Sequence, residues 1–228
     1  MKSALAGMAI SLDRLRRPAA AVAPTMALIF VVVAALLQRR VSPTRAADHT
    51  LTAAVFGLAL PLLAHATLTQ LSGGSRLEAV LVPVARHGGS RRLGAAGLVL
   101  TAAAWLASLG GILAALAVLL TRGTADPKLV GDLLSSVWLG VLGGACYAAW
   151  FSLGSMVGAS GGGRLLFLLL DWVLGSGSTA LAAPWPRAHL RNLLGSEPVL
   201  HMPQWSALAA VLLLTVVCGT WAVLRTRD

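Results

Sequence analysis

The chain has 228 residues, 57% of them apolar and only 11% charged, and its mean hydropathy is +0.80. A soluble domain carries roughly 25% charged residues, so the polar surface is too small for an ordinary globular enzyme and the apolar content too high for a disordered chain. The net charge of +10 would point to nucleic acid if it shared one folded surface. Here it is dispersed in short segments between long uncharged runs, the pattern of a multi-pass membrane protein without a nucleic-acid partner.

Residues 1–17 come first. Leu5, Met8, Leu12 and Leu15 recur at helical spacing among Lys2, Asp13, Arg14, Arg16 and Arg17, which predicts an amphipathic helix in the membrane interface, ended by Pro18. A secretory signal peptide is disfavoured because the uncharged stretch after Arg17 is long and no clear cleavage site follows. A spanning helix needs about 20 apolar residues, and six charge-poor runs meet that length: 18–38, 50–75, 93–121, 133–163, 165–186 and 202–224. They lack the alternation of barrel strands, so the predicted fold is all-α with six transmembrane helices in a single transmembrane domain spanning 1–228. Lys and Arg in alternate loops number eleven against seven; the richer side holds both termini, which the positive-inside rule places in the cytoplasm.

The loop at 72–92 is the most informative stretch. Ser72-Gly73-Gly74 breaks the second run. Leu77, Val80, Leu81 and Val84 then form an apolar stripe beside Arg76, Glu78 and Arg86, and Pro83 bends or ends the helix. A short amphipathic helix of this kind lies in the headgroups or docks into a groove on a soluble partner. In the fourth run, Gly140 and Gly144, then Gly154 and Gly158, have GxxxG spacing, suited to close helix packing within the bundle or at a dimer interface. Asp171 is the one carboxylate inside a run; an intramembrane acid costs about 2.5–3.5 kcal/mol and marks either a substrate path or a structural polar bond. Gly175 to Thr179 predict a break, hinge or re-entrant turn in the fifth run. The stretch 184–204 predicts a short amphipathic helix in an external loop, anchored by Trp185.

Cys146 and Cys218 fall inside apolar runs as small core residues. No Cys or His spacing forms a metal site, and His189 and His201 are scattered. Gly158-Ala159-Ser160-Gly161 matches the GxSG of intramembrane serine proteases, but the sixth run holds no His to act as base.

The loop resembles the signature region of ABC-2 type transporter permeases. Leu77-Glu78 corresponds to that family's Leu-Glu, Val80-Leu81 to its leucine pair, and Pro83-Val84-Ala85-Arg86 to its Pro-Val-Ser-Arg. Gly94 falls near the family's Gly, while Ala95 stands where Lys is common and Ser72-Gly73-Gly74 replaces the acidic lead. The resemblance covers about 20 residues in motif and nearly the whole chain in layout. It implies the membrane subunit of an ATP-driven exporter in the bacterial inner membrane, working as a homodimer or heterodimer. Arg76, Leu77, Glu78, Val80, Leu81, Pro83, Val84 and Arg86 would couple it to a separate ATP-binding cassette subunit. This chain has no phosphate loop of its own, so it is expected to bind no cofactor, ATP and Mg residing on the partner. A lipid-like or amphipathic substrate is favoured over an ion. Haem export belongs to a subfamily of similar length and layout, with no haem-specific feature here. The competing expectation is a non-ATP channel or the scaffold of a larger membrane complex.

Overall fold

The computed structural model describes residues 2–41, 45–122, 127–158 and 160–226. Arg227, one of the eleven basic residues on the richer side, and Ala159 of the GxSG stretch lie outside these residues. All regular structure among the described residues is helical. Helix α1 runs Lys2–Leu15 and α2 Pro18–Val41, with Pro18 at a position where its missing N–H costs nothing. Helix α3 (Ala46–His49) continues through a ten-residue π-helix, Thr50–Ala59, into α4 (Leu60–Ser72). In the π stretch the Leu60 N–H reaches the Val55 carbonyl, five residues back. Pro61 follows at once and offers no N–H to the Gly57 carbonyl, which loosens the α register just before it. Gly73, in the left-handed conformation at φ 61°, ends α4.

Two single-turn helices, α5 (Leu77–Val80) and α6 (Val82–Arg86), form the loop to α7 (Arg91–Arg122). Helix α8 spans Leu129–Gly154, α9 Gly163–Leu174, α10 Pro186–Leu193 and α11 Gln204–Leu224. Among the described residues, five helical segments are long and apolar enough to cross a membrane: Pro18–Val41, Ala46–Ser72, Arg91–Arg122, Leu129–Gly154 and Gln204–Leu224. Val22, Met26, Ile29 and Phe30 on α2 and Leu213, Val216 and Trp221 on α11 are exposed, which water would penalise and hydrocarbon does not.

The fifth predicted run is not a single helix. Helix α9 has 12 residues, about 18 Å at 1.5 Å per residue against a hydrocarbon core of about 30 Å. It stops at Gly175, whose backbone lies against the side chains of Arg187 and Trp185; a Cβ there would come within 3.0 Å of Arg187 Cβ. The chain then turns through Ser176 to Thr179, where the Ser178 carbonyl accepts from Leu200 N–H at 2.9 Å and the Ser176 carbonyl from Arg191. Irregular backbone is tolerated where the protein itself satisfies it.

The expected external helix is likewise not a surface feature. In α10, Ala188, His189, Leu190 and Asn192 are buried, and the helix packs against α8, α9, α11 and the π-helix. Trp185, just before it, meets Trp150 of α8 edge-on at 5.5 Å. The core is continuous from Val31 through Phe56, Leu106 and Tyr147 to Val211.

Candidate functional site

Helices α7 and α8 make the largest contact of the bundle. Gly140 and Gly144 stand in that contact: a Cβ at Gly140 would overlap the Gly110 carbonyl and one at Gly144 the Leu106 carbonyl. Their small-residue spacing therefore serves packing within the chain, where apolar solvent supplies no drive for association and close contact must. Gly154 and Gly158 do not form a second such pair. Gly154 closes α8 against Arg164 and Phe167, whereas Gly158 lies beyond the helix, exposed, at φ 84°. Ser160 is exposed in the same loop.

The apolar stripe of the predicted coupling loop faces inward. Leu77 and Leu81 are 0% exposed, and Val80 and Val84 are buried. A Cβ at Gly94 would touch the Leu81 side chain at 3.0 Å, so Leu81 seats on the first turn of α7. Helix α1 completes the enclosure: Gly7 and Gly97 bring α1 and α7 into backbone contact, and the Ser3 hydroxyl accepts from Ser90 N–H at 3.2 Å. These four side chains hold the loop on its own bundle and are not available as contacts for another subunit, a correction to the expectation above. The exposed rim is Ala79, Pro83, Arg86 and His87, with Glu78 half-buried. The stripe closes on its own chain because α1 and the glycine-bearing start of α7 offer it a groove, and short spacing in sequence cannot reveal that groove.

Two arginines fasten this loop to the break between α8 and α9. Arg164, buried at the start of α9, donates from one Nη to the Ser72 hydroxyl, to the Ser75 carbonyl at 3.2 Å and to the Ser155 hydroxyl at 3.3 Å. Arg76 donates from Nε to the Gly158 carbonyl at 2.6 Å and lies 3.4 Å from the Glu78 carboxylate. Gly161, at φ 71°, approaches so closely that a Cβ would come 2.6 Å from the Ser75 carbonyl. Arg14 adds a strut from α1, donating to the Leu71 carbonyl at 2.5 Å; burial lowers its pKa, and the neighbouring Arg17 lowers it further. Arg164, counted above as a loop charge, is thus an internal latch.

Seven residues further along α9, about 10 Å at helical rise, lies Asp171. It is 0% exposed. Its Oδ2 accepts from Tyr147 Oη of α8 at 2.8 Å, and its Oδ1 from the Arg187 N–H at the start of α10 at 3.1 Å. Tyr147 stacks on Phe151, with ring centroids 5.9 Å apart, and Phe151 meets His65 of α4 edge-on. The guanidinium of Arg187 turns inward, and a Cβ at Gly57 in the π-helix would lie 3.6 Å from its Nη2. Arg187, in the stretch expected to form an external loop, is half-buried and turns its guanidinium toward the bundle. One carboxylate therefore ties together α8, α9 and α10, and its neighbour Arg187 reaches the second span.

Polar contacts run from the loop through Arg164 to α9 and, through Asp171, from α9 to α8 and α10. Tyr147, Arg164, Arg187, Ser72 and Ser155 escape sequence reasoning, although Tyr147 is the chain's single tyrosine and falls inside an apolar run. Comparison with protein-family profiles, with curated proteins and with solved structures finds no match to this chain.

Proposed function

We propose that this chain is the membrane-spanning permease subunit of an ATP-driven transporter of ABC-2 type, exporting a lipid-like or amphipathic substrate. The observation that carries this reading is the link just described: an amphipathic loop with the Leu-Glu and Pro-Val-Ala-Arg pattern is pinned by Arg76 and Arg164 to the break that starts α9. A displacement imposed on the loop would be transmitted to α9 and, through Asp171, to α8 and α10. The partner, a separate ATP-binding cassette subunit carrying ATP and Mg, meets the exposed rim at Ala79, Pro83, Arg86 and His87 rather than the buried stripe.

The remaining assignments follow from the same reading. The face bearing α1, the loop and the end of α11 is cytoplasmic, in keeping with its excess of Lys and Arg. Leu5 and Leu12, exposed on α1 while Gly7 and Ser11 face the bundle, rest in the headgroup layer of a bacterial inner membrane. Two permease copies, identical or related, enclose the path. Helices α9 and α10 stand in place of a sixth span, a half-length helix and a buried return.

The test is capture. Cys146 and Cys218 are buried, so Arg86→Cys introduces an accessible thiol on the rim. Crosslinking in native membranes, mild solubilisation and mass spectrometry should yield a stoichiometric chain with a phosphate loop attached at position 86. Recovery of the permease without such a chain, before and after crosslinking, would overturn the transporter reading in favour of a channel or scaffold.

A further inference from the structure

His65 lies seven residues before Ser72, the end of the second membrane-length helix, and so about 10 Å inside that span. It is half-buried. Its backbone carbonyl accepts from Thr69 Oγ1 at 2.8 Å and its ring meets Phe151 edge-on at 5.9 Å, but neither ring nitrogen is hydrogen-bonded among the described residues. An unpaired imidazole is costly in hydrocarbon, so a polar side chain at this depth normally has a partner. His65 lines a groove of about 430 Å³ between α2 and the continuous helix of the π stretch and α4. Ala27 and Ala59 form its buried floor, and their single methyl groups leave the space; Met26, Phe30, Leu58 and Leu62 are its exposed rim. All four rim residues belong to membrane-length helices, so the mouth faces the same apolar medium as those helices do.

The groove is polar at one end only. Gln70 Nε2 donates to the Ala19 carbonyl at 2.8 Å, which sets the start of α2 beside the end of α4. His65 and Ala23 therefore stand at the end nearer the loop, and Leu58 and Phe30, near the midpoints of their spans, lie about 10 Å deeper. An amphiphile of one leaflet has this orientation, with its head toward the interface and its chain toward the bilayer centre. We propose that the groove binds a long-chain fatty acid, its carboxyl group paired with the His65 imidazole and its chain lying over Ala27 and Ala59. Carboxyl and imidazole share one proton, and the pair is neutral whichever partner holds it, so it is tolerated at a depth where a phosphodiester headgroup is not. The charge acting on His65 is the Arg164 guanidinium, which favours an acid over an amine. An acyl chain gains no hydrophobic energy on leaving lipid for an apolar groove, so selectivity comes from the polar pair and from fit. The inference rests on the groove and on the bilayer as solvent, and holds whether or not the chain transports anything.

The experiment uses the full chain in phosphatidylcholine nanodiscs. A palmitic acid analogue with a diazirine at mid-chain is photolysed, and the labelled peptides are mapped by mass spectrometry. The expected result is labelling confined to α2 and to the Leu58–Leu62 stretch, displaced by palmitic acid about tenfold more effectively than by hexadecylamine. His65→Phe should weaken labelling about tenfold. Ala27→Leu should abolish it, as should Ala23→Leu, a milder filling at the half-buried polar end that decides the matter if Ala27→Leu does not fold. Leu213→Phe, on the exposed face of α11, should leave it unchanged. Label spread over the exposed faces of α2 and α11, labelling indifferent to His65→Phe, or equal displacement by the amine would overturn the proposal. Labelling of the monomer that is lost in a dimer would also overturn it, because a second copy would then be the occupant.

Discussion

Replacing Tyr147 with Phe removes one oxygen from the bundle interior and little else. The ring keeps its stack on Phe151 at 5.9 Å, so packing is preserved and the loss is the 2.8 Å bond to Asp171. Asp171 is then left with one acceptor unpaired at a site with no solvent exposure. An orphaned buried acceptor costs about 1–3 kcal/mol; about 2 kcal/mol is expected. In the background of Asp171→Leu the sign reverses. There the hydroxyl of Tyr147 is itself the orphan, and deleting it removes a penalty of about 1 kcal/mol. Asp171→Leu alone should be nearly neutral, because two unpaired donors (Tyr147 Oη and the Arg187 N–H) offset the roughly 2.5–3.5 kcal/mol of burying a carboxylate in a membrane helix. The four proteins form a double-mutant cycle whose coupling energy is expected near 3 kcal/mol, read from reversible unfolding in SDS mixed micelles. If Tyr147→Phe has the same effect in both backgrounds to within about 0.5 kcal/mol, the two groups act independently and Asp171 is not the joint that the geometry describes.

Three further outcomes separate packing from coupling. Gly144→Val should destabilise by about 1–3 kcal/mol, because its Cβ would overlap the Leu106 carbonyl and force α7 from α8; Gly131→Ala on the same helix, where a Cβ meets nothing within 4 Å, should be neutral or slightly stabilising. Leu81→Ala should cost about 2–5 kcal/mol as a buried truncation, whereas Ala79→Glu, on the exposed rim, should change stability by less than about 0.5 kcal/mol yet, combined with Arg86→Cys, abolish capture of the proposed ATP-binding partner in the crosslinking assay. Arg164→Ala should free the loop and accelerate tryptic cleavage after Arg76 in detergent micelles, with Arg164→Lys intermediate because the shorter lysine keeps the charge but ends about one bond short of the Nη that meets Ser72, Ser75 and Ser155; equal cleavage in all three proteins would show that the latch does not hold the loop.

Sequence reading by itself determined the bilayer as solvent, the all-helical architecture and four of the long helices nearly to their ends. These are properties of runs: apolar length and the absence of charge are summed over 20 or more neighbours, and single contacts hardly move the sum. It also singled out the loop and Asp171, because a charge pattern or a carboxylate among apolar residues is visible locally. Which way those residues face was decided only in three dimensions. Leu77 and Leu81 form a helical stripe whether they face a partner or their own bundle, and the groove that receives them is built by Gly7, Gly94 and Gly97 from distant segments. Arg164 and Arg187 read as loop charges because membrane rules treat a cation as an edge marker; the oxygens of Ser72, Ser75 and Ser155 that hold Arg164 and the Gly57 backbone beside the Arg187 guanidinium come from other segments. The fifth run has the length of a span and is not one. Its glycines permit a break, but the break is fixed by Arg191 and the Leu200 N–H donating to the Ser176 and Ser178 carbonyls while Trp185 and Arg187 pack against Gly175, a pairing that no local pattern encodes.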